Sequence, residues 1–260
     1  MMDGLEAITL DFGNTLVPFP VTSMNEVVRR TADVAATLTG CRVEEFERIW
    51  AEERQRQFDE DVPEGREADM DVRAVRVIAR LRGAVPPEDE RWDDGSLAGY
   101  SEASELAAIL DAYAGAFVAT TPVPGAIEPM LARLSMRYRL AVLSNWPLAA
   151  AVERYLAAAG WSPHLTAIVI SQRVGAIKPR PLIFEAAARS LGIASGPAIL
   201  HVGDDLGADV VGAHGVGWRA AWVRIKPEDS PLPVAAGTTA TGVEPDLIVD
   251  SVLDLEAALA

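Results

Sequence analysis

From about residue 121 onward the chain alternates strand-like with helix-like runs: RLAVLS, PLAAAVERYLAAAG, TAIVIS, PLIFEAAARSLG, AILHVG, ADVVGAHG, AAWVRI and DLIVDSVLDLEAALA. Strands that alternate with helices need crossover connections, which are right-handed and lay helices on both faces of a parallel sheet. That pattern restricts the fold to the α/β class with a doubly wound parallel sheet. One more strand-type run, AITLDF, stands alone near the start and can join the same sheet. From Ser23 to about Ala119 no strand candidate appears. Ser23 and Glu26 stand at capping-box spacing ahead of VVRRTADVAATL, and VEEFERIWAEERQRQF and DMDVRAVRVIARL repeat apolar residues at intervals of three and four. The expected organisation is a core of residues 1–18 and 119–260, interrupted by a helical cap over 19–118. KPEDSPLPVAAGTTATGVEP, rich in Pro, Gly and Thr, reads as a surface loop. The glycines of GAHGVGW close a helix instead of opening one, so they make no dinucleotide fingerprint.

Charge excludes several roles. With 38 acidic and 23 basic residues the net charge is -15, which repels phosphate backbones and anionic lipid, so neither nucleic acid nor a membrane surface is an expected partner. No apolar run reaches the ~18 residues of a membrane span. Cys41 has no second cysteine to pair with and reads as a small buried apolar residue. The acidic start MMDGLEAITLDF lacks the basic segment of a secretory signal, so a cytoplasmic location is expected.

Ligands of an open parallel sheet bind beyond the carboxyl ends of its strands. Polar residues stand at four such ends: Asp11 after ITL; Ser144 and Asn145 after AVL; Lys178 past AIVIS; and Asp204, Asp205 and Asp209 after ILHVG. A carboxylate nucleophile, a hydroxyl, an ammonium and further acids suit phosphoryl chemistry, in which Mg²⁺ takes oxygen ligands and cations offset the phosphate charge. Each residue also has an ordinary reading. Asp11 followed by Gly13 and Asn14 is common turn chemistry. Ser144 and Asn145 can cap the following helix, and Asp205 and Asp209 suit a helix N-terminus. Trp146 can line a pocket or pack beneath the cap. His201 reads as a satisfied core histidine. Arg29, Arg30, Arg54 and Arg56 fit an exposed helix face, from which one could turn inward to bind a substrate anion.

Taken in order, ITLDFGNTL, LAVLSN, RVGAIKPRPLIF and LHVGDDLGADVVGA resemble the four motifs of the haloacid dehalogenase superfamily of hydrolases, in the branch with a helical cap after the first strand. The resemblance implies that Asp11 is a nucleophile forming an aspartyl-enzyme intermediate. It further implies that Thr15 orients Asp11, that Ser144 bonds the transferred group, and that Lys178 neutralises charge on nucleophile and substrate. Mg²⁺ would be held by Asp11, the Gly13 carbonyl and Asp204, with Asp205 or Asp209 in support. Asn145 and Trp146 would contact a small anionic substrate.

Gly13 departs from the pattern. Phosphatases of the family carry there a second Asp that protonates the leaving oxygen, a contribution of about 10² to 10⁴-fold. Its absence points to a substrate with a stable leaving group, to an acid lent by the cap (Asp59, Glu60 or Asp61), to 2-haloacid dehalogenation, or to a protein that binds phosphorylated ligands without turnover. The phosphonatase branch needs a cap lysine, and the only lysines are Lys178 and Lys226, which excludes it. The acids of GDDLGAD favour the metal-dependent branch, because Asp11 packed against them without a cation would be displaced by several pKa units.

Overall fold

The protein is described by a computed structural model covering residues 2–86, 92, 97, 99–225, 228–232 and 242–260. Lys226 and much of the expected 226–245 loop lie outside the described residues.

Six strands form one parallel sheet in the order β3-β2-β1-β4-β5-β6: β1 (Ala7–Leu10), β2 (Arg139–Ser144), β3 (Ala167–Ile170), β4 (Ile199–Gly203), β5 (Arg219–Val223) and β6 (Leu247–Val249). The isolated strand of the sequence therefore lies at the centre, and all four of its residues are buried, as a strand covered on both faces must be. From β1 the chain winds outward through β2 and β3, then returns to β4 on the other side. The crevice between the carboxyl ends of β1 and β4 is thus the switch point. Register fixes what meets there: Leu10 pairs with Val202, and the Asp11 N–H continues the ladder to the Val202 carbonyl at 2.8 Å.

Among the described residues five α-helices lie between β1 and β2: α1 (Val21–Thr39), α2 (Val43–Glu60), α3 (Met70–Leu81), α4 (Ala103–Thr120) and α5 (Ile127–Ser135). The expected start at Ser23 is corrected. Pro20, extended at φ -75°, leads into α1 at Val21 with no side-chain cap. Ser23 is buried inside the first turn, its N–H already bonded to the Pro20 carbonyl, and Glu26 pairs with Arg30 instead. Asp69 does cap α3, accepting from the Asp71 N–H. The second half continues with α6 (Ala149–Ala158), α7 (Ser171–Val174), α8 (Pro181–Leu191), a π-helical segment Leu206–Val211 running into α9 (Gly212–Gly215), and α10 (Leu255–Ala258). Pro181 takes the first turn of α8, where its missing N–H costs nothing.

α1 packs on α4 and α2, α2 on α3, and α4 reaches back to α6. One apolar cluster therefore runs from Ile8 and Leu10 of the sheet through Phe12, Phe117 and Trp146 to Trp50 and Phe46 of the helical insert. Phe12 meets Trp146 and Tyr155 edge-on at 5.4 and 5.3 Å, and Phe46, Trp50 and Tyr113 stack within the insert. Rings of this size bury large areas and gain about 0.5–1.5 kcal/mol per pair beyond that burial. The opposite face of the sheet is covered by Ile183, Phe184 and Leu191 of α8 with Trp218. Cys41 is half-buried at the edge of the first cluster, not enclosed as its residue type suggests. Among the described residues no helix is long and apolar enough to cross a membrane.

Candidate active site

The site begins with the tight turn that follows β1. The N–H groups of Leu16 and Val17 both reach the Phe12 carbonyl at 3.0 Å, and the Asn14 N–H reaches the Val17 carbonyl at 2.7 Å. Closing the chain so sharply forces Asn14 to φ 60°, a left-handed conformation that Asn tolerates better than most residues. Phe12, Leu16 and Val17 are buried and anchor the turn, so Asp11, Gly13 and Thr15 are held at the switch point.

Lys178 is the hub. Its buried ammonium donates to Asp11 Oδ1 at 2.7 Å, to Asp209 Oδ1 at 2.6 Å and to the Leu143 carbonyl at 3.0 Å, satisfying all three donors. Asn145 clamps the same residue: its Oδ1 accepts from the Lys178 N–H at 2.7 Å and its Nδ2 donates to the Lys178 carbonyl at 3.1 Å. Asn145 thus positions Lys178, although it also lines the cavity.

Asp209, expected as a helix-end charge or an outer ligand, is a buried partner of three groups. It accepts from Lys178, from His201 Nε2 at 3.0 Å and from the Asp205 N–H at 2.9 Å. Burial works to raise its pKa, but the Lys178 charge and the His201 bond outweigh it and hold the carboxylate below the ordinary range. Burial lowers the pKa of His201, which is neutral. Because an ionised carboxylate only accepts, the imidazole proton sits on Nε2, and the Thr9 hydroxyl donates to Nδ1 at 2.8 Å. His201 is the satisfied core histidine its sequence context suggests. Burial also works to lower the pKa of Lys178, yet Asp11 and Asp209 reverse this and keep it protonated. Gly203 makes the arrangement possible, since a Cβ there would run into the Asp209 carboxyl group.

Asp11, Asp204 and Asp209 each present an oxygen within 4.8 Å of the others. At that spacing each carboxylate pair repels by on the order of 3 kcal/mol at an effective dielectric constant near 20. Burial raises the pKa of Asp11, Lys178 pulls it back, and the Asp209 charge adds to the rise. Three neighbouring carboxylates, two of them sharing one ammonium, leave an excess of negative charge that a divalent cation would balance. The donor set is all oxygen, as Mg²⁺ requires. Thr15 donates to Asp204 Oδ1 at 3.3 Å and not to Asp11, so it braces the carboxylate opposite the expected one. Asp205 accepts from the N–H groups of Gly207 and Ala208 at 2.8 and 3.0 Å, acting as the N-cap of the segment Leu206–Val211. The buried Ser144 hydroxyl works to lower the pKa of Asp11.

This inner cavity, about 100 Å³, communicates through Lys178, Trp146 and Leu232 with a chamber of about 490 Å³ between sheet and insert. Trp50, Phe58, Tyr113, Trp146 and Leu232 give the chamber apolar walls. Trp146 packs edge-on against Phe19 at 5.4 Å and lines the chamber. Its polar walls include Arg54, which turns inward from α2, and two residues the sequence did not single out, Arg73 and Glu67. Arg54 donates to the Pro231 carbonyl at 3.1 Å, and Arg73 lies in the field of Glu67 and Asp69. Arg73 is spent on neutral acceptors, Gln57 Oε1 at 2.9 Å and the Ala68 carbonyl at 3.1 Å, and burial lowers its pKa to about 10. Burial raises the pKa of Glu67, whose oxygens accept from the Ala68 N–H and the Ser171 hydroxyl, tying insert to core. The segment expected to lend an acid supplies none of the three named residues: α2 runs through Asp59 and Glu60, which pair with Gln55 and Arg56, while Asp61 is buried beside Arg66. Arg29 and Arg30 make exposed pairs with Asp33 and Glu26, as expected of a solvated face.

The chain is similar to known proteins. Pyrimidine 5'-nucleotidase YjjG of Escherichia coli is 27% identical over 139 residues, which is 54% of this chain and 57% of that protein. The phosphoserine phosphatase of Thermus thermophilus is 41% identical over 76 residues, 28% of this chain and 30% of that protein. The chain thus spans less than two thirds of either relative. Among solved structures, the 2-haloacid dehalogenase of Pseudomonas syringae pv. Tomato superposes with a TM-score of 0.65 over 98% of both chains at 20% identity, a likeness of fold. The pattern of the haloacid dehalogenase-like hydrolases matches residues 5–217, from the central strand through the helical insert to the end of the Asp204–Asp209 region, and the chain belongs to that family of hydrolytic enzymes.

Proposed function

We propose that this hydrolase cleaves a small anionic phosphoryl substrate with a good leaving group, in a Mg²⁺-dependent reaction through Asp11. The observation that carries the reading is the set of three buried carboxylates within 4.8 Å of one another, two of them bonded to a single ammonium. Asp11, Asp204 and the Gly13 carbonyl would hold the ion, with Asp209 already engaged by Lys178 and His201. Bound there, Mg²⁺ supplies charge neutralisation to the phosphoryl oxygens.

An Asp11 oxygen attacks phosphorus, the bond to the leaving oxygen breaks with its electron pair staying on that oxygen, and water then hydrolyses the aspartyl phosphate. Lys178 holds Asp11 in line and offsets charge, and Ser144 directs a hydroxyl at the same carboxylate. The helical insert acts as a cap whose apolar walls exclude water from the reacting groups. Arg54, which lines the chamber, offers a guanidinium group to a substrate anion. Two phosphatases among the relatives support phosphoryl transfer to water.

A second reading is favoured by the apolar chamber and its arginines: displacement of halide from a 2-haloacid by the same Asp11, a step that needs no proton donor. The two separate on one assay. Phosphate release from phenyl or acetyl phosphate that needs Mg²⁺ and disappears in Asp11→Asn supports phosphoryl hydrolysis. Metal-independent halide release from 2-chloropropionate, without phosphatase activity, would replace that reading with the second.

A further inference from the structure

We propose that Leu232 is the specificity-determining residue of this site: it fills the space that a side chain at position 13 would need and so restricts turnover to leaving groups that depart without a proton. The inference rests on the phosphoryl reading above and names the substrate class within it.

Gly13 is not among the residues with positive φ, so its backbone conformation does not demand glycine. Space does. A Cβ at position 13 would lie 2.5 Å from Leu232 Cδ1 and 3.2 Å from Trp146 Cζ3. Turning the leucine methyl aside relieves only the first contact. The Leu232 Cγ stands 3.9 Å away, so the carboxyl of an aspartate would still extend into leucine on one side and indole on the other. Leu232 lines both the inner cavity and the chamber, which places it between the reacting carboxylate and the entering substrate.

The leucine is held from two sides of the site. Asn14 Nδ2 donates to Ser230 Oγ at 2.9 Å, Ser230 Oγ donates to Asn14 Oδ1 at 3.1 Å, and the same Oγ accepts from the Leu232 N–H at 3.3 Å. From the insert, Arg54 Nη2 donates to the Pro231 carbonyl at 3.1 Å. Ser230–Leu232 is therefore fastened both to the turn beside Gly13 and to α2. The leaving oxygen of a phosphate ester at Asp11 faces hydrocarbon where a proton donor would stand, and it must carry away its full negative charge.

The test is the dependence of kcat/KM on leaving-group pKa across substituted phenyl phosphates and one alkyl phosphate, with Mg²⁺ present. Wild type, Gly13→Asp, Leu232→Ala, the double variant Gly13→Asp/Leu232→Ala and the acid-free control Gly13→Ser/Leu232→Ala are compared, with thermal unfolding to confirm folding. Wild type is expected to slow steeply as the leaving group becomes more basic. Gly13→Asp alone should keep that steep slope. The double variant should flatten it and gain about 10²-fold or more on the alkyl phosphate, while the control gains nothing comparable. A single Gly13→Asp substitution that flattens the slope as fully as the double variant overturns the proposal, as does a folded double variant with no gain. Should wild type release halide and no phosphate, the phosphoryl reading fails separately. Leu232 is then judged by whether Leu232→Ala admits 2-haloacids with longer side chains, and an unchanged chain-length profile overturns it.

Discussion

Lys178 Nζ donates to Asp209 Oδ1 at 2.6 Å while both side chains are 2% exposed, so the lysine that meets Asp11 is set by an acid thirty-one positions along the chain. Removing one member of a buried, hydrogen-bonded ion pair leaves the other uncompensated and costs about 3–5 kcal/mol. Asp209→Asn is expected to lose stability on that scale in urea unfolding. Lys178→Met should abolish turnover and destabilise more, because it leaves both Asp11 and Asp209 without the ammonium they share.

The same pair sets a pH limit. The folded Asp209 carboxyl lies below its unfolded value of about 3.9, so the unfolded chain binds its proton first as pH falls. The stabilisation is complete above about pH 5 and is lost as pH drops through the folded value. Unfolding free energy measured from pH 6 to 3 should fall less steeply in Asp209→Asn than in wild type.

Gly203 precedes Asp204 and has no room for a Cβ, because Asp209 occupies that space. Gly203→Ala should displace the Asp209 carboxylate, cost about 1–3 kcal/mol as overpacking does, and lower kcat more than KM rises. Equal kcat with a raised KM would show that the substitution acts elsewhere.

A cation shared by Asp11 and Asp204 stabilises only the folded chain. At a Mg²⁺ concentration about a hundred times Kd the gain is about 2.7 kcal/mol, so the thermal midpoint should rise with Mg²⁺ and return with chelator. Asp204→Asn should abolish the response. Persistence of the full shift in that variant would remove Asp204 from the ligand set.

Arg54 and Arg73 both line the chamber. Substituting Arg54→Met is expected to raise KM for substrates carrying a second anionic group by about tenfold, an effect of about 1.4 kcal/mol, with a smaller change in kcat. Arg73→Met should add a loss of stability, because Gln57 and the Ala68 carbonyl lose their donor.

The α/β class, the doubly wound sheet and the strand ends bearing Asp11, Ser144, Lys178 and Asp204 were legible in the sequence. Periodicity and turn chemistry act between neighbours, so a local pattern determines where strands and helices run. Even there local signals compete: Ser23 and Glu26 have capping spacing, yet Pro20 starts the helix earlier. The contacts that the site residues make run across the fold. Thr15 reaches Asp204, Asn145 grips Lys178, and Ser230 meets Asn14 across 216 positions. Nothing near Leu232 marks it as part of a site, and nothing near Gly13 tells which atom occupies the space its side chain lacks. Such distant pairings leave no periodic trace, because they depend on how the sheet register and the helix packing bring separate turns to one edge.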